Sequence, residues 1–269
     1  MKSAIRIRRK LKSLRRLHAI TCSMESVSRI RMQAVKRSLE RFAGYASSLE
    51  RMADFFPRHL YLQASSGVEG YIIFSTDRGL VGSFNLPMVE YLSSLEPGSV
   101  IYAVGRKLKP AIVSLNLSPR RYIDGLESGD FIEKLTTISD TAFSDFISGT
   151  ISRLRVVGHA RNADRVEERV VLPFPRREGM VEEEAIFEPT QEEIYRDFQR
   201  QLLFAVVTKA FLEFKLCEHR ARLFMMHQAA DKSSEMIEKT FLEYNKARQE
   251  AITSEIQDVY GGKRALEGE

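Results

Sequence analysis

Along the first fifty positions apolar residues recur at Ile7, Leu11, Leu14, Leu17, Ile20, Met24, Val27, Ile30 and Ala34, with a mean step of about 3.4 residues. That step predicts one face of a helix and lies nearer the 3.5 repeat of a left-handed supercoil than the 3.6 of a straight helix. No proline and a single glycine, Gly44, fall between Ser3 and Phe56, so the helix should run for roughly 80 Å at 1.5 Å per residue. Pro57 removes a donor and turns the preceding residue away from helix, which ends the element. The far end of the chain repeats the pattern. Thr190 is placed to cap a helix with Glu193 three residues on, and neither proline nor glycine follows until Gly261-Gly262. Ile237, Phe241, Tyr244, Ala247, Ala251, Ile256 and Val259 keep a helical stripe near its end, and the element would be about 100 Å long. Helices of this length cannot pack on themselves, and the simplest partner for each is the other, running antiparallel.

Residues 68–189 have a different rhythm and hold most of the Gly and Pro. Gly70–Ser75 is a short apolar run of strand type, followed by the turn Thr76–Gly82 and a helical stretch Leu86–Leu95. Ser99–Gly105 is a second strand before the basic pair Arg106-Lys107. Asp130–Ser148 is helical, Leu154–His159 is a third strand, and Arg169–Pro173 a fourth. Strands alternating with helices predict an α/β sandwich on a mainly parallel sheet. The resulting division is an N-terminal coiled-coil helix over 1–57, an α/β domain over 68–189 and a C-terminal coiled-coil helix over 190–262.

Composition narrows the classes. With 43% hydrophobic residues, 15 Gly and 8 Pro in 269 residues, the chain is neither collagenous nor compositionally disordered. No apolar run nears the roughly 18 residues needed to span a bilayer, and the N-terminus lacks the apolar core of a secretory signal, so it reads as mature protein. Two cysteines, Cys22 and Cys217, make no disulfide framework and fall too far apart on antiparallel helices to bridge, which fits a reducing compartment.

Catalytic patterns are missing. Gly79-Leu80-Val81-Gly82 lacks both the G-x-G-x-x-G of a dinucleotide fold and the lysine-bearing phosphate loop, so it reads as a tight strand-to-helix turn with no direct nucleotide contact. His219 and His227 share a helix two turns apart without a third ligand nearby, and are expected as surface or interface residues rather than metal ligands. No nucleophile has a recognisable base and orienting group. A non-enzyme without cofactor or metal is expected.

Charge supplies the positive signal. The chain carries a formal +5, yet residues 1–60 hold 15 basic side chains against Glu25, Glu40, Glu50 and Asp54, leaving the other 209 residues at −6. Lys2, Arg6, Arg8, Arg9, Lys10, Lys12, Arg15 and Arg16 have no acid among them and repel one another at i,i+4. A solvated coiled-coil face, nucleic acid, and a protein with an acidic ring or cleft could each account for them. Nucleic acid is disfavoured because no aromatic residue interleaves the first forty positions and no DNA-binding pattern follows.

The order of residues goes further. Tyr244-Asn245-Lys246-Ala247-Arg248-Gln249 and Ile252-Thr253-Ser254-Glu255, ahead of Gly261-Gly262, resemble the C-terminal signature of the gamma subunit of F-type ATP synthases. Ile7-Arg8, Lys12-Ser13, Ile20-Thr21, Met24-Glu25 and Val27 are similar to that family's N-terminal helix. Ser75-Thr76-Asp77-Arg78-Gly79-Leu80, with Gly82 and Asn85, resembles its S-D-R-G-L-C-G-x-x-N turn with one residue inserted. Val104-Gly105-Arg106-Lys107 and Glu218-His219 with Ala221-Arg222 match further segments. Cys22 stands where the family usually has lysine, Val81 replaces a common cysteine, Ser83 a glycine, Gly262 an alanine, and Arg15 and Arg16 add charge. No cysteine pair of the chloroplast kind is present in the middle.

The resemblance implies an α+β fold: a long antiparallel coiled coil of N- and C-terminal helices with an inserted α/β, Rossmann-like globular domain. It implies a divergent bacterial central-stalk rotor, housekeeping or second-copy, that couples proton or sodium flow to ATP synthesis or hydrolysis. Its partners would be the alpha and beta subunits of the hexamer, an epsilon-type stalk subunit and the membrane c-ring, with the chain peripheral on the cytoplasmic face of the inner membrane. Carried over, Arg8, Met24, Arg248, Gln249, Thr253 and Glu255 contact the hexamer, with Met24 opposite the segment that holds Arg248, while Asp77, Arg78, Gly79 and Gly82 form a functional loop of the globular domain. The alternative is a non-rotary coiled-coil adaptor that binds an acidic protein or nucleic acid through its basic helix.

Overall fold

The computed structural model describes residues 2–52, 67–126, 130–159, 165–174 and 190–267, with backbone alone at 2, 3, 191, 258 and 261–267. Pro57 and the segment ahead of Thr190 lie outside the described residues. The elements in chain order are α1 (Lys2–Met52), β1 (Val68–Phe74), α2 (Leu86–Ser93), β2 (Val100–Val104), a 3-10 turn (Arg106–Leu108), α3 (Lys109–Ser114), β3 (Arg121–Ile123), α4 (Phe131–Ile147), β4 (Ile151–His159), β5 (Val166–Leu172) and α5 (Gln191–Glu267). The chain divides into two compact units: Met1–Arg29 with Leu223–Glu269, and Ile30–Arg222.

The unit Ile30–Arg222 is built on a five-stranded sheet ordered β3-β2-β1-β4-β5, parallel throughout except for the antiparallel β5. Both faces are covered, so alternate residues of one strand enter different cores. Ile72, Phe74, Tyr102, Val104, Leu154 and Val156 pack with α4 and with Leu203, Val207, Phe211 and Phe214 of α5. Tyr71, Ile73, Ile101, Ala103 and Val157 pack under α2 and α3 with Met88, Leu92, Leu108 and Ile112. Continuous apolar strands are the mark of a sheet buried on both sides. A third cluster joins Ala46 and Leu49 of α1 to Tyr195, Phe198, Leu202 and Ala205 of α5, with α1 antiparallel to α5. Thr190 does cap α5, accepting from the amide of Glu193 at 3.3 Å.

The predicted helices and strands are present, and β3 is an addition. Three residues with an exposed arginine carry too little alternation to be read from sequence. At the C-terminus α5 passes through Gly261-Gly262 and continues to Glu267, because two glycines cost a helix only about 2 kcal/mol together.

In the unit Met1–Arg29 with Leu223–Glu269, α1 and α5 again pair antiparallel, His18 meeting Ala230 and Ser233 while Glu25 meets His227. The contact face differs from the predicted stripe. Leu11 and Leu14 are buried, but the seam then continues through His18, Thr21, Glu25 and Ser28, while Leu17, Ile20 and Val27 stand 50%, 59% and 42% exposed. A strict heptad step from Leu11 and Leu14 leads to those polar positions. The apolar residues drift onto an outer face, which the mean spacing alone does not reveal. Thr21 and Ser28 are tolerated in the seam because their hydroxyls donate to their own helix, at the carbonyls of His18 (2.9 Å) and Met24 (2.7 Å).

One backbone position permits no side chain. Gly105 ends β2 with φ +100°, its amide donates to the Ile123 carbonyl at 2.8 Å, and a Cβ built on it would fall 2.1 Å from the Ser75 carbonyl oxygen. Gly105→Ala should therefore lower stability by about 3 kcal/mol or more. A urea-unfolding midpoint unchanged from the parent chain would refute that reading.

Candidate functional site

The strand order makes β1 and β4 the switch point of the sheet, the place where α/β folds receive ligands beyond the carboxyl ends of their strands. Here the chain fills that crevice itself. Phe84 stacks on His159, at the end of β4, with centroids 3.8 Å apart, and Phe214 of α5 lies 5.6 Å from Phe84 and 5.7 Å from Phe74. The space left beside them, lined by Phe74, Gly158, His159, Arg169 and Phe214 among others, is about 30 Å³, room for a water and far below the several hundred Å³ of a cofactor site.

The loop Ser75–Asn85 is a structural knot. Asp77 accepts from the amides of Arg106 (3.1 Å), Gly125 (3.1 Å) and Leu126 (2.9 Å), so one carboxylate ties together the turns that follow β1, β2 and β3. Asn85 accepts from the Thr76 amide at 3.0 Å and donates to its hydroxyl at 2.9 Å, and that hydroxyl donates to the Arg78 carbonyl at 2.7 Å. Leu80 and Gly82 both adopt positive φ. Glycine is thus used for its backbone freedom at Gly82, whereas Gly79 contributes its carbonyl. With both oxygens engaged by backbone amides, Asp77 acts as a brace.

The Gly79 carbonyl accepts from Arg222 Nε of α5 at 3.3 Å. Arg222 Nη2 donates to Glu218 at 2.7 Å, Lys215 Nζ donates to the other oxygen at 2.7 Å, and Glu218 is wholly buried. Burial would raise the Glu218 carboxyl, but the flanking Lys215 and Arg222 charges outweigh it and hold the group below its usual range. His219 is buried as well, with Nδ1 3.3 Å from Arg222. Desolvation, reinforced by Lys215, Arg222 and Arg31 against the pull of Glu218, brings it down to about 4. This corrects the expected surface position of His219, whereas His227 does stand exposed beside Glu25 and Asp231. Sequence reading matched Glu218, His219 and Arg222 as a motif but gave them no task. The signal was there: Lys215, Glu218 and Arg222, spaced to share one face of a helix, interrupt a run that includes Phe211, Phe214 and Cys217.

The residues expected to meet partners do not form one cluster. Arg8, Arg248, Gln249, Thr253 and Glu255 are exposed in the first unit. Met24, expected opposite the segment of Arg248, instead lies beside the Glu25–His227 crossing, roughly 30 Å along α5 from Arg248. The reason is register: His18 is already level with Ala230–Ser233, so Ala247 falls beside about Ala4. Past Ala251 the register reaches the end of α1, and every described side chain from Ile252 to Tyr260 is exposed. Thr253 and Glu255 therefore sit on a stretch of α5 without a partner helix among the described residues.

The fold class is thus one of two long terminal helices paired antiparallel, with a mixed α/β sheet between them in the chain. The family model described as ATP synthase matches residues 3–266. The ATP synthase gamma chain of Dichelobacter nodosus is 29% identical over 293 residues, covering 99% of this chain and 100% of the relative. That of Bacteroides fragilis is 24% identical over 290 residues, covering 98% and 100%. Among solved structures, a chain of the Euglena gracilis mitochondrial ATP synthase, in an OSCP/F1/c-ring assembly in rotational state 3, superposes with TM-score 0.67 at 18% identity over 98% of this chain and 95% of that one. A chain of the Tetrahymena thermophila mitochondrial central stalk and c-ring gives 0.59 at 18% identity over 78% and 99%. The chain belongs to the ATP synthase gamma-subunit family. It is a non-catalytic stalk subunit with a rotary function, catalysis residing in the beta subunit.

His219 gives stability a pH dependence of known sign. Its folded value lies below 6.5, so between pH 6.5 and about 4 the unfolded chain binds the proton more readily and stability falls as pH falls. Glu218, also depressed, adds its loss only at lower pH, as acidity passes through its folded value. His219→Gln should shrink the drop in urea midpoint between pH 7 and pH 5. An equal drop in parent and variant would contradict the assignment.

Proposed function

We propose that this chain turns as the central-stalk rotor of an F-type ATP synthase at the cytoplasmic face of a bacterial inner membrane, and that the end of α5 carries its contact with the alpha/beta hexamer. Residues 1–57 and 190–262 supply the stalk and residues 68–189 the sheet domain, whose epsilon-type and c-ring neighbours complete the rotor. No helix among the described residues is long and apolar enough to cross a membrane, so membrane association comes through the complex. The supporting observation is the exposed end of α5. Ile252, Ile256, Val259 and Tyr260 form a stripe at i, i+4, i+7 and i+8, each at least 44% exposed, with Arg248, Gln249, Thr253 and Glu255 beside it.

Such a surface suits a bearing. Apolar contact is non-directional and has no preferred angle, while a few charges distinguish the faces that the surrounding subunits meet. A contact that held one angle too tightly would stall rotation, since only differences in affinity between states shift their populations. The basic residues Arg6, Arg8, Arg9, Lys10, Lys12, Arg15 and Arg16, all exposed, would meet acidic side chains of the same hexamer.

Arg248→Ala with Gln249→Ala should lower ATPase activity of the reconstituted complex severalfold while leaving the chain folded. Unchanged kinetics would remove this pair from the coupling contact. If the tagged full chain retains no alpha- or beta-type subunits from its own cells, the rotor assignment itself fails.

A further inference from the structure

Within the unit Met1–Arg29 with Leu223–Glu269, the polar cluster that sets the helix register also offers chemistry that register alone does not need. His18 Nδ1 lies 3.1 Å from the Ala230 carbonyl and 3.0 Å from Ser233 Oγ, and the Ser233 hydroxyl already donates to that same carbonyl at 2.8 Å. With its only hydrogen committed there, Ser233 cannot donate to the ring, and a carbonyl only accepts. Nδ1 must therefore carry the proton, shared between Ala230 and Ser233, which leaves Nε2 of the neutral ring as a bare acceptor. Nε2 faces Cys22 Sγ, one turn along α1, at 3.6 Å. Cys22 is half-buried, so a small reagent can reach it. Glu25, the nearest acid on the next turn, is engaged by Arg29 at 2.8 Å and faces His227 at 3.6 Å. Thiol, oriented base and orienting carbonyl together form the arrangement that activates a nucleophile.

We propose that Cys22 is a reactive thiol of the stalk, activated by His18 and modified reversibly by small disulfides of the glutathione class. The thiol proton passes to His18 Nε2, the Cys22 sulfur attacks one sulfur of the disulfide, and the S–S bond breaks as a mixed disulfide forms at Cys22. The departing thiolate takes up the proton from the imidazolium. Cys22 is oxidised and the reagent disulfide reduced, with no further oxidant needed. On the rotor reading proposed above, the added group projects from a shaft that must turn within a close-fitting sleeve, so modification acts as a brake that a dithiol reductant releases.

The full chain, alone and in its ATPase complex, is treated with dithiobis(nitrobenzoate), and release of the coloured thiolate is followed with mass-spectrometric location of the adduct. A fast phase at Cys22, absent in Cys22→Ser and slowed about tenfold or more in His18→Gln, supports the site. The native chain should also react faster at Cys22 than the same chain unfolded in urea, where His18 no longer faces the sulfur, a comparison that needs no variant. A Cys22 rate no higher in the native than in the unfolded chain, or unaltered by His18→Gln, overturns the proposal. In the complex, ATPase activity should fall on labelling and return with dithiothreitol, while Cys22→Ser stays insensitive. Fast labelling without loss of activity would refute the brake while leaving the reactive thiol standing, and the rotor reading is tested separately by retention of the alpha- and beta-type subunits.

Discussion

Between Tyr195 and Arg222, α5 has to satisfy two partners at once, and the form of the larger unit follows from this. One face gives Leu203, Val207, Phe211 and Phe214 to the sheet, and another gives Phe198, Leu202 and Ala205 to α1 at Ala46 and Leu49. A helix buried on two sides cannot show the single narrow stripe of an amphipathic one, and this stretch is accordingly apolar on every side at Leu202–Val207. It ends at Glu218, whose complete burial between Lys215 and Arg222 would be costly without both cations. Those partners convert a polar interruption into a link, because Arg222 reaches on to the Gly79 carbonyl in the loop that Asp77 braces. Helix, loop and three strand ends thus depend on one another.

The pairing of α1 with α5 in the smaller unit obeys another logic. Its seam includes His18, Thr21, Glu25 and Ser28 on one side and Ala230, Ser233 and Thr240 on the other, so it gains less from burial than an all-leucine seam would. Polar seam positions fix register more than they add stability, and the His18 bonds to Ala230 and Ser233 do so here. The apolar side chains displaced outward, Leu17, Ile20 and Val27 on α1 with Phe224, Met236, Phe241 and Leu242 on α5, each stand at least 40% exposed. A surface of that kind calls for a surrounding partner, as a central-stalk subunit has.

How legible was this in the sequence? The two long helices, their antiparallel pairing, the Thr190 cap and four of the five strands could be read from periodicity and punctuation, because they rest on local patterns. The seam past Leu14 could not, since which of two neighbouring stripes faces the partner depends on the partner's side chains and not on mean hydrophobic spacing. The position of Met24 relative to Arg248 failed for a related reason: antiparallel register is a relation between distant segments, and an error in one helix end shifts every pair. Family resemblance supplied the motif containing Glu218 and Arg222 without its physics, which appears only when Gly79, 143 residues away, is brought to Arg222. The turn motif was likewise visible, but the task of its aspartate, bracing three backbones, was not.

The closed switch point explains why a nucleotide-type sheet serves a subunit that does no chemistry. A parallel sheet offers a crevice at β1 and β4 whether or not a ligand is wanted, and an empty apolar crevice would forfeit the packing contacts of its walls. Phe84, His159 and Phe214 fill it, and one of the three belongs to α5. The place where a relative in architecture would hold a cofactor is here used to grip the long helix, so the sheet's function is mechanical. Fold alone never fixes activity. In this chain the aromatic plug and the Glu218 ion group decide the matter, because they make α5 part of the sheet domain's own core.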